Sequence, residues 1–183
     1  MLKNIYLAGV GGQGLQVAGK VLAQAAYKSG LNVTYSPKYG FEKRGGLTSC
    51  FLAVSDEPIG NPRKKLQDLL IVMEPKAYAN FHSDLKPGGT LIVNSTLIGN
   101  DDAPAEGTIR KDIPYHDICL KLGNLKVISS VVTGSLAYEL GDIFKDPKMI
   151  QDIMLESLKK KPELLDLNKK AFEEGYKAGA AGK

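Results

Sequence analysis

Apolar residues in this chain fall into short runs separated by glycine and proline, and the period within each run assigns the element. Ile5-Tyr6-Leu7-Ala8 is a strand-like run that ends at Gly9. From Leu15 the positions Leu15, Ala18, Leu22 and Ala25 recur at three- and four-residue intervals, which predicts a helix stopping near Ser29-Gly30. Residues 32–36 read as a second strand stopped by Pro37, a glycine-rich loop spans residues 37–46, and residues 48–54 form a third strand. In that third strand Cys50, Leu52 and Val54 share one face. Leu69-Leu70-Ile71-Val72-Met73 is apolar at every position, as expected of a central parallel strand covered on both faces, with residues 90–94 as its neighbour. Between them, residues 75–85 predict a short helix with Pro75 in its first turn and Pro87-Gly88-Gly89 beyond its end.

The second half is more helical. A weaker strand at 107–111 is followed by helices expected at 115–122, 129–140, 147–158 and 168–177, and Lys126-Val127-Ile128 reads as a last short strand. The small, polar tail 178–183 is expected to fray. Strands alternating with helices across short connections predict a single domain over residues 1–183, a three-layer α/β/α sandwich around a mostly parallel, Rossmann-like sheet.

Composition narrows the function classes. A chain of 183 residues with 43% hydrophobic and 24% charged positions is of the size and kind of one soluble globular domain. No apolar run approaches the roughly 18 residues of a membrane span. The N-terminus enters a strand at once without a leader-like segment, so a cytoplasmic location is expected. The net charge of +4 is gathered partly in Arg63-Lys64-Lys65 and Lys159-Lys160-Lys161. Neither group has interleaved aromatics, so both read as solvated faces and nucleic acid is not an expected partner. The two cysteines, Cys50 and Cys119, are too few for an iron–sulfur cluster held by this chain alone, and no metal site is expected on it.

Two loops carry the candidate chemistry. Gly9-Val10-Gly11-Gly12-Gln13-Gly14 follows a strand and opens a helix, where successive backbone N–H groups and the helix dipole favour an anion. The same glycines also suit a tight turn that only lets helix and strand pack closely. Gly9, Gly11 and Gly14 match G-x-G-x-x-G, yet the second strand ends in Thr34-Tyr35-Ser36-Pro37, without the acidic residue a nicotinamide ribose requires. Gly14 with Gly19-Lys20 mimics a phosphate-binding P-loop, but Val21 stands where a metal-binding hydroxyl is needed and the intervening residues are helical in pattern. His82 and His116 have no serine or cysteine elbow beside them, and no catalytic residue is assigned.

The second loop, Pro37-Lys38-Tyr39-Gly40-Phe41-Glu42-Lys43-Arg44-Gly45-Gly46, should emerge at the carboxyl edge of the sheet beside the first. Arg44 offers a forked donor for phosphate or carboxylate, or closes an internal ion pair with Glu42 that merely shapes the loop. The candidate ligand-binding set is therefore Gly9, Gly11, Gly12, Gln13, Gly14, Tyr39, Glu42, Arg44, Gly45 and Gly46.

With these loops in place, the chain resembles the gamma subunits of 2-oxoacid:ferredoxin oxidoreductases over nearly its whole length. The resemblance rests on Gly9 to Gly14, on Pro37 to Gly46, on Asp56-Glu57-Pro58-Ile59-Gly60, on the turn and strand over residues 85–94, and on Ala171-Phe172-Glu173-Glu174-Gly175. One departure is Ser129-Ser130, where the family often has an asparagine. The resemblance implies a complex in which alpha and beta subunits, with delta in some members, hold thiamine diphosphate, magnesium and iron–sulfur clusters. The gamma subunit lies on the coenzyme A side, and ferredoxin accepts the electrons. The implied reaction is the coenzyme A-dependent oxidative decarboxylation of a 2-oxoacid, with the second loop closer to the 2-oxoglutarate branch than to the pyruvate branch. A free-standing nucleotide-binding or regulatory module and a small NAD-dependent reductase are the competing readings. In a complex of this kind, Ala171, Phe172, Gly175 and Tyr176 are expected to form part of a partner surface.

Overall fold

The computed structural model describes residues 1–40, 46–61, 64–99 and 106–182. Its six strands are β1 (Leu2–Val10), β2 (Asn32–Tyr39), β3 (Leu47–Ser55), β4 (Gln67–Val72), β5 (Leu85–Asn94) and β6 (Ile109–Ile113), in one sheet of order β2-β3-β1-β4-β5-β6. The pairs β1–β4, β4–β5 and β5–β6 are parallel. β3 is antiparallel to both β1 and β2, so among the described strands it alone is reversed.

The helices are α1 (Leu15–Lys28), α2 (Pro75–Phe81), α3 (Tyr115–Lys121), α4 (Ile128–Glu139), α5 (Pro147–Glu156) and α6 (Leu165–Ala181). One face of the sheet, with Ile5, Leu7, Cys50, Leu52, Leu69 and Ile71, packs under α1 and the helices of the second half. The other face, with Ala8, Leu70, Val72, Leu91 and Val93, packs against Ala77 and Tyr78 of α2. The three layers are therefore unequal. β2 and β3 form an antiparallel hairpin, which needs no crossover helix, and so no described helix covers their second face.

Several boundaries depart from the sequence reading, each for a local reason. β2 runs through Pro37 to Tyr39, which an edge strand tolerates because Pro37 owes no hydrogen bond on its open side. The glycine-rich connection is correspondingly shorter than residues 37–46. α2 ends at Phe81, and β5 begins at Leu85 with a register shift against β4 between Gln67 and Leu69. The expected strand at residues 126–128 is instead a 3-10 turn, Leu125–Val127, entered through Asn124, whose side chain accepts the Lys126 N–H at 2.9 Å. α6 starts earlier than expected and stays helical to Ala181, with Gly179 buried against Ser135 of α4, so the tail expected to fray from Ala178 is helical there.

The expectation of a partner surface on α6 is overturned at Ala171, Phe172 and Gly175, which are buried, while Tyr176 stays half-buried. Ala171 is 0% and Phe172 3% exposed, because α4 and α6 meet backbone to backbone through Gly134 and Gly175. No described helix is long and apolar enough to cross a membrane.

Candidate functional site at the switch point of the sheet

At the carboxyl ends of β1 and β4 the chain leaves the sheet in opposite directions, α1 to one face and α2 to the other. Such a divergence opens the crevice in which α/β proteins bind ligands. The glycine loop occupies this crevice. Gly9 is buried, and a Cβ there would lie 2.3 Å from Gln13 Oε1 and 3.0 Å from Met73 Cβ. Gly14 caps α1 at φ 71°, and a Cβ on it would lie 2.4 Å from Ser129 Cβ at the start of α4. Gly11 and Gly12, by contrast, are exposed with open space around them, so their backbone faces solvent at the mouth.

Gln13 is turned inward. It is 6% exposed; its Oε1 accepts the Val10 N–H at 3.0 Å, and its Nε2 donates to Glu74 Oε1 at 2.5 Å. Its amide thus fixes the loop, and any ligand would meet the loop's backbone. Asn94, fully buried at the end of β5, donates from Nδ2 to the Met73 carbonyl at 3.1 Å and lies 2.8 Å from His116 Nδ1. Asn94 Oδ1 has no partner among the described residues.

The second loop is brought beside the first. Gly11 N–H donates to Gly46 O at 3.2 Å, and Val10 is registered opposite Leu47. Gln16 reinforces the join, donating from Nε2 to Ser49 O at 2.8 Å and to Thr48 Oγ1 at 3.0 Å while its Oε1 accepts from Tyr35 Oη at 2.6 Å. Tyr39 is 66% exposed at the end of β2, on the same edge of the sheet. Glu42, Arg44 and Gly45 lie outside the described residues. The structure therefore gathers Gly9, Gly11, Gly12, Gln13, Gly14, Tyr39 and Gly46 at one edge.

Sequence reasoning passed over Glu74, Asn94 and Gln16. Glu74 and Asn94 directly follow apolar strand ends, the one place a sequence signal was available. The decoy motifs are also resolved. Gly19 sits inside α1, where a Cβ would lie 2.6 Å from Cys50 Sγ, so it is a packing glycine. The reversed β3 separates β1 from β2, which takes the end of β2 away from the position where a nicotinamide ribose is held.

The family model for "pyruvate ferredoxin/flavodoxin oxidoreductase" matches residues 4–178. The chain belongs to this family. Within it, the chain is 31% identical to the 2-oxoglutarate synthase subunit KorC of Methanocaldococcus jannaschii, covering 96% of this chain and 93% of that one. The gamma subunit of a keto/oxoacid ferredoxin oxidoreductase from Geobacter sulfurreducens superposes with a TM-score of 0.84 at 27% identity, covering 100% and 99% of the two chains. The 2-oxoglutarate:ferredoxin oxidoreductase of Magnetococcus marinus, solved with 2-oxoglutarate, coenzyme A and succinyl-CoA bound, shares the fold with a TM-score of 0.86 at 23% identity. There the match covers 98% of this chain and 31% of that one, so the chain spans about a third of the larger protein. This chain is a gamma-type subunit of the 2-oxoacid:ferredoxin oxidoreductases, a single domain with a mixed six-stranded sheet.

The cysteines of this gamma-type subunit do not fit a cluster. Cys50 and Cys119 are both buried in the core, and burial pushes their thiols up to about 12 and about 11. Among the described residues no group of three His, Cys, Asp or Glu side chains could hold a metal ion.

Proposed function

We propose that this subunit holds coenzyme A in a complex that oxidatively decarboxylates a 2-oxoacid, 2-oxoglutarate being favoured, to acyl-CoA and carbon dioxide. The observation that carries the reading is the Gly11 N–H to Gly46 O bond, which joins the two glycine loops into one open edge at the switch point. A backbone surface beside the start of α1 suits the phosphates of coenzyme A. Gly12 presents that backbone, Gly11 ties it to the second loop through its own N–H, Gly9, Gln13, Gly14 and Gly46 hold its shape, and Tyr39 stands at the rim. Arg44, which Glu42 and Gly45 flank in the sequence, supplies the forked cation for a phosphate in this reading. The end-to-end similarity to a 2-oxoglutarate synthase subunit supports the substrate.

In this reading alpha and beta subunits, and delta where present, carry thiamine diphosphate with magnesium and the iron–sulfur clusters, and ferredoxin takes the electrons. Thiamine diphosphate supplies the carbanion chemistry of decarboxylation, while this chain orients the nucleotide end of the acyl acceptor. The test is Arg44→Ala in the reconstituted complex, assayed with 2-oxoglutarate, 2-oxoisovalerate and pyruvate. The apparent KM for coenzyme A should rise about tenfold or more, with that for the 2-oxoacid little changed. Unchanged kinetics in an intact complex would leave Arg44 with the loop-shaping role, and a preference for another 2-oxoacid would reassign the substrate.

A further inference from the structure

The second face of the sheet over β2, β3 and the first half of β1 holds a cavity, on the side of the sheet away from α1. Its residues lie in cross-strand rows: Thr34–Ala53–Asn4, Ser36–Phe51–Tyr6 and Lys38–Ser49–Ala8. This is a polar face with an aromatic centre. Buried Asn4 Oδ1 and Thr34 Oγ1, on either side of Ala53, have no partners among the described residues. The cavity measures about 250 Å³ and lies between the middle row, the end of α2 and Lys64-Lys65.

Three features define what it would hold. Its floor is Tyr6, Phe51 and Phe81, with Tyr6 directly opposite Phe51 in the sheet and edge-on to Phe81 at 5.2 Å. Among the described residues its rim carries Lys38, Lys64 and Lys65 against one carboxylate, Asp84. Gln67 is 5% exposed, and its Nε2 donates to Lys64 O at 2.9 Å and Lys65 O at 3.1 Å. That orientation fixes the lysine-bearing backbone and leaves Gln67 Oε1 as a buried acceptor with no donor among the described residues.

We infer that this cavity is a second binding site, for a small anion carrying a planar ring with an N–H group. The ring lies on the aromatic floor, the anionic group meets the lysines, and the ring N–H supplies the donor Gln67 Oε1 lacks. A volume just under the ~300 Å³ of the smallest ordinary ligand pockets suits a nucleoside monophosphate or an aromatic carboxylate better than a dinucleotide or intact coenzyme A. The small volume favours such a molecule over a peptide from a partner. Tyr6 and Gln67 belong to the middle and start of their strands, whereas the glycine loops follow the strand ends, so this inference stands apart from the coenzyme A reading.

Calorimetric titration of the full chain at low salt tests it, with AMP, adenosine, inorganic phosphate and indole-2-carboxylate as probes. AMP should bind once per chain, with adenosine and phosphate each at least about tenfold weaker. Lys64→Glu/Lys65→Glu should lose at least about tenfold in AMP affinity with an unchanged melting temperature, since both lysines are exposed. Phe81→Leu should weaken AMP and adenosine alike. Indole-2-carboxylate binding as well as AMP, and lost in the same lysine variant, identifies the anion as a carboxylate and also supports the site. No saturable binding of either aromatic anion overturns the inference. So does binding that survives the lysine variant, or binding displaced by coenzyme A, which would place it at the glycine loops. Binding by neither the free chain nor the assembled complex, with the lysines shielded from acylation only in the complex, would make the face a subunit contact and equally defeat the site.

Discussion

Gln13 ties together the two sides of the crevice: its Nε2 donates to Glu74 Oε1 at 2.5 Å while its Oε1 takes the Val10 N–H at 3.0 Å. Glu74 stands immediately before α2 and Gln13 two residues before α1, so one side-chain amide couples the two helices that diverge around the site. Gly9 is confined to glycine by the same amide, since a Cβ would collide with Gln13 Oε1.

Gln13→Ala should therefore cost about 1–3 kcal/mol, because it strands the part-buried Val10 N–H and removes a charge-assisted bond together. Gln13→Glu should be worse at neutral pH, since it sets a second carboxylate beside Glu74. Urea denaturation measures both; midpoints equal to that of the parent chain would show that the bond adds nothing to stability.

Gly134 and Gly175 predict the sharpest intolerance among the described glycines. A Cβ at Gly134 would lie 2.0 Å from Phe172 O, and one at Gly175 would lie 2.0 Å from Val131 O. Alanine at either position should force α4 and α6 apart and destabilise by roughly 3 kcal/mol. Gly11→Ala, with nothing within 4 Å of the added carbon, is the contrasting variant and should leave the thermal midpoint nearly unchanged.

Removing residues 165–183 should abolish cooperative unfolding. The deletion uncovers α4, whose buried positions include Val131, Val132 and Leu136, and takes Ala171 and Phe172 from the core. A shortened chain that still melts in one sharp calorimetric transition would return α6 to the surface role first expected of it.

The cysteines set an alkaline limit. Burial raises Cys50 to about 12 and Cys119 to about 11, while an unfolded thiol ionises near ~8.5. Between those values the unfolded chain loses protons that the folded chain keeps, so stability is fully present below about pH 8.5 and falls as pH rises toward 11 and 12. Denaturation midpoints measured from pH 8 to 10.5 should decline, and Cys119→Ala should flatten part of the decline. Iodoacetamide at pH 8 should label neither thiol in the native chain and both in urea, as read by mass spectrometry.

The glycine loop, α1, β3, β4 and the four later helices are legible in the chain because their signals are local. A period of two or 3.6 residues, a proline at a first helical turn and glycines between strand and helix need no partner to be read. The course of residues 37–46 was legible only in part. Pro37 stops a strand in a sequence argument, yet on an edge it does not, and edge position is a property of the sheet.

Ala171, Phe172, Gly175 and Tyr176 show the same limit from the other side. Small residues interleaved with aromatics suit a partner chain and suit another helix of the same chain equally well. Which of these they meet depends on how close α4 can come, and Gly134 lets it come to backbone contact. In the site, Gly9 to Gly14 are visible as a motif, but that Gln13 faces inward follows from Glu74, sixty-one positions away.

The sequence by itself determined the class of fold, the two glycine loops and the family resemblance, because these are written in residues that are close together along the chain. Tertiary structure alone decided the reversed β3, the inward amide of Gln13, the approach of Gly11 to Gly46 and the burial of α6. Each of those depends on hydrogen bonding or close packing between segments far apart in the chain, and such contacts take their geometry from the assembled sheet.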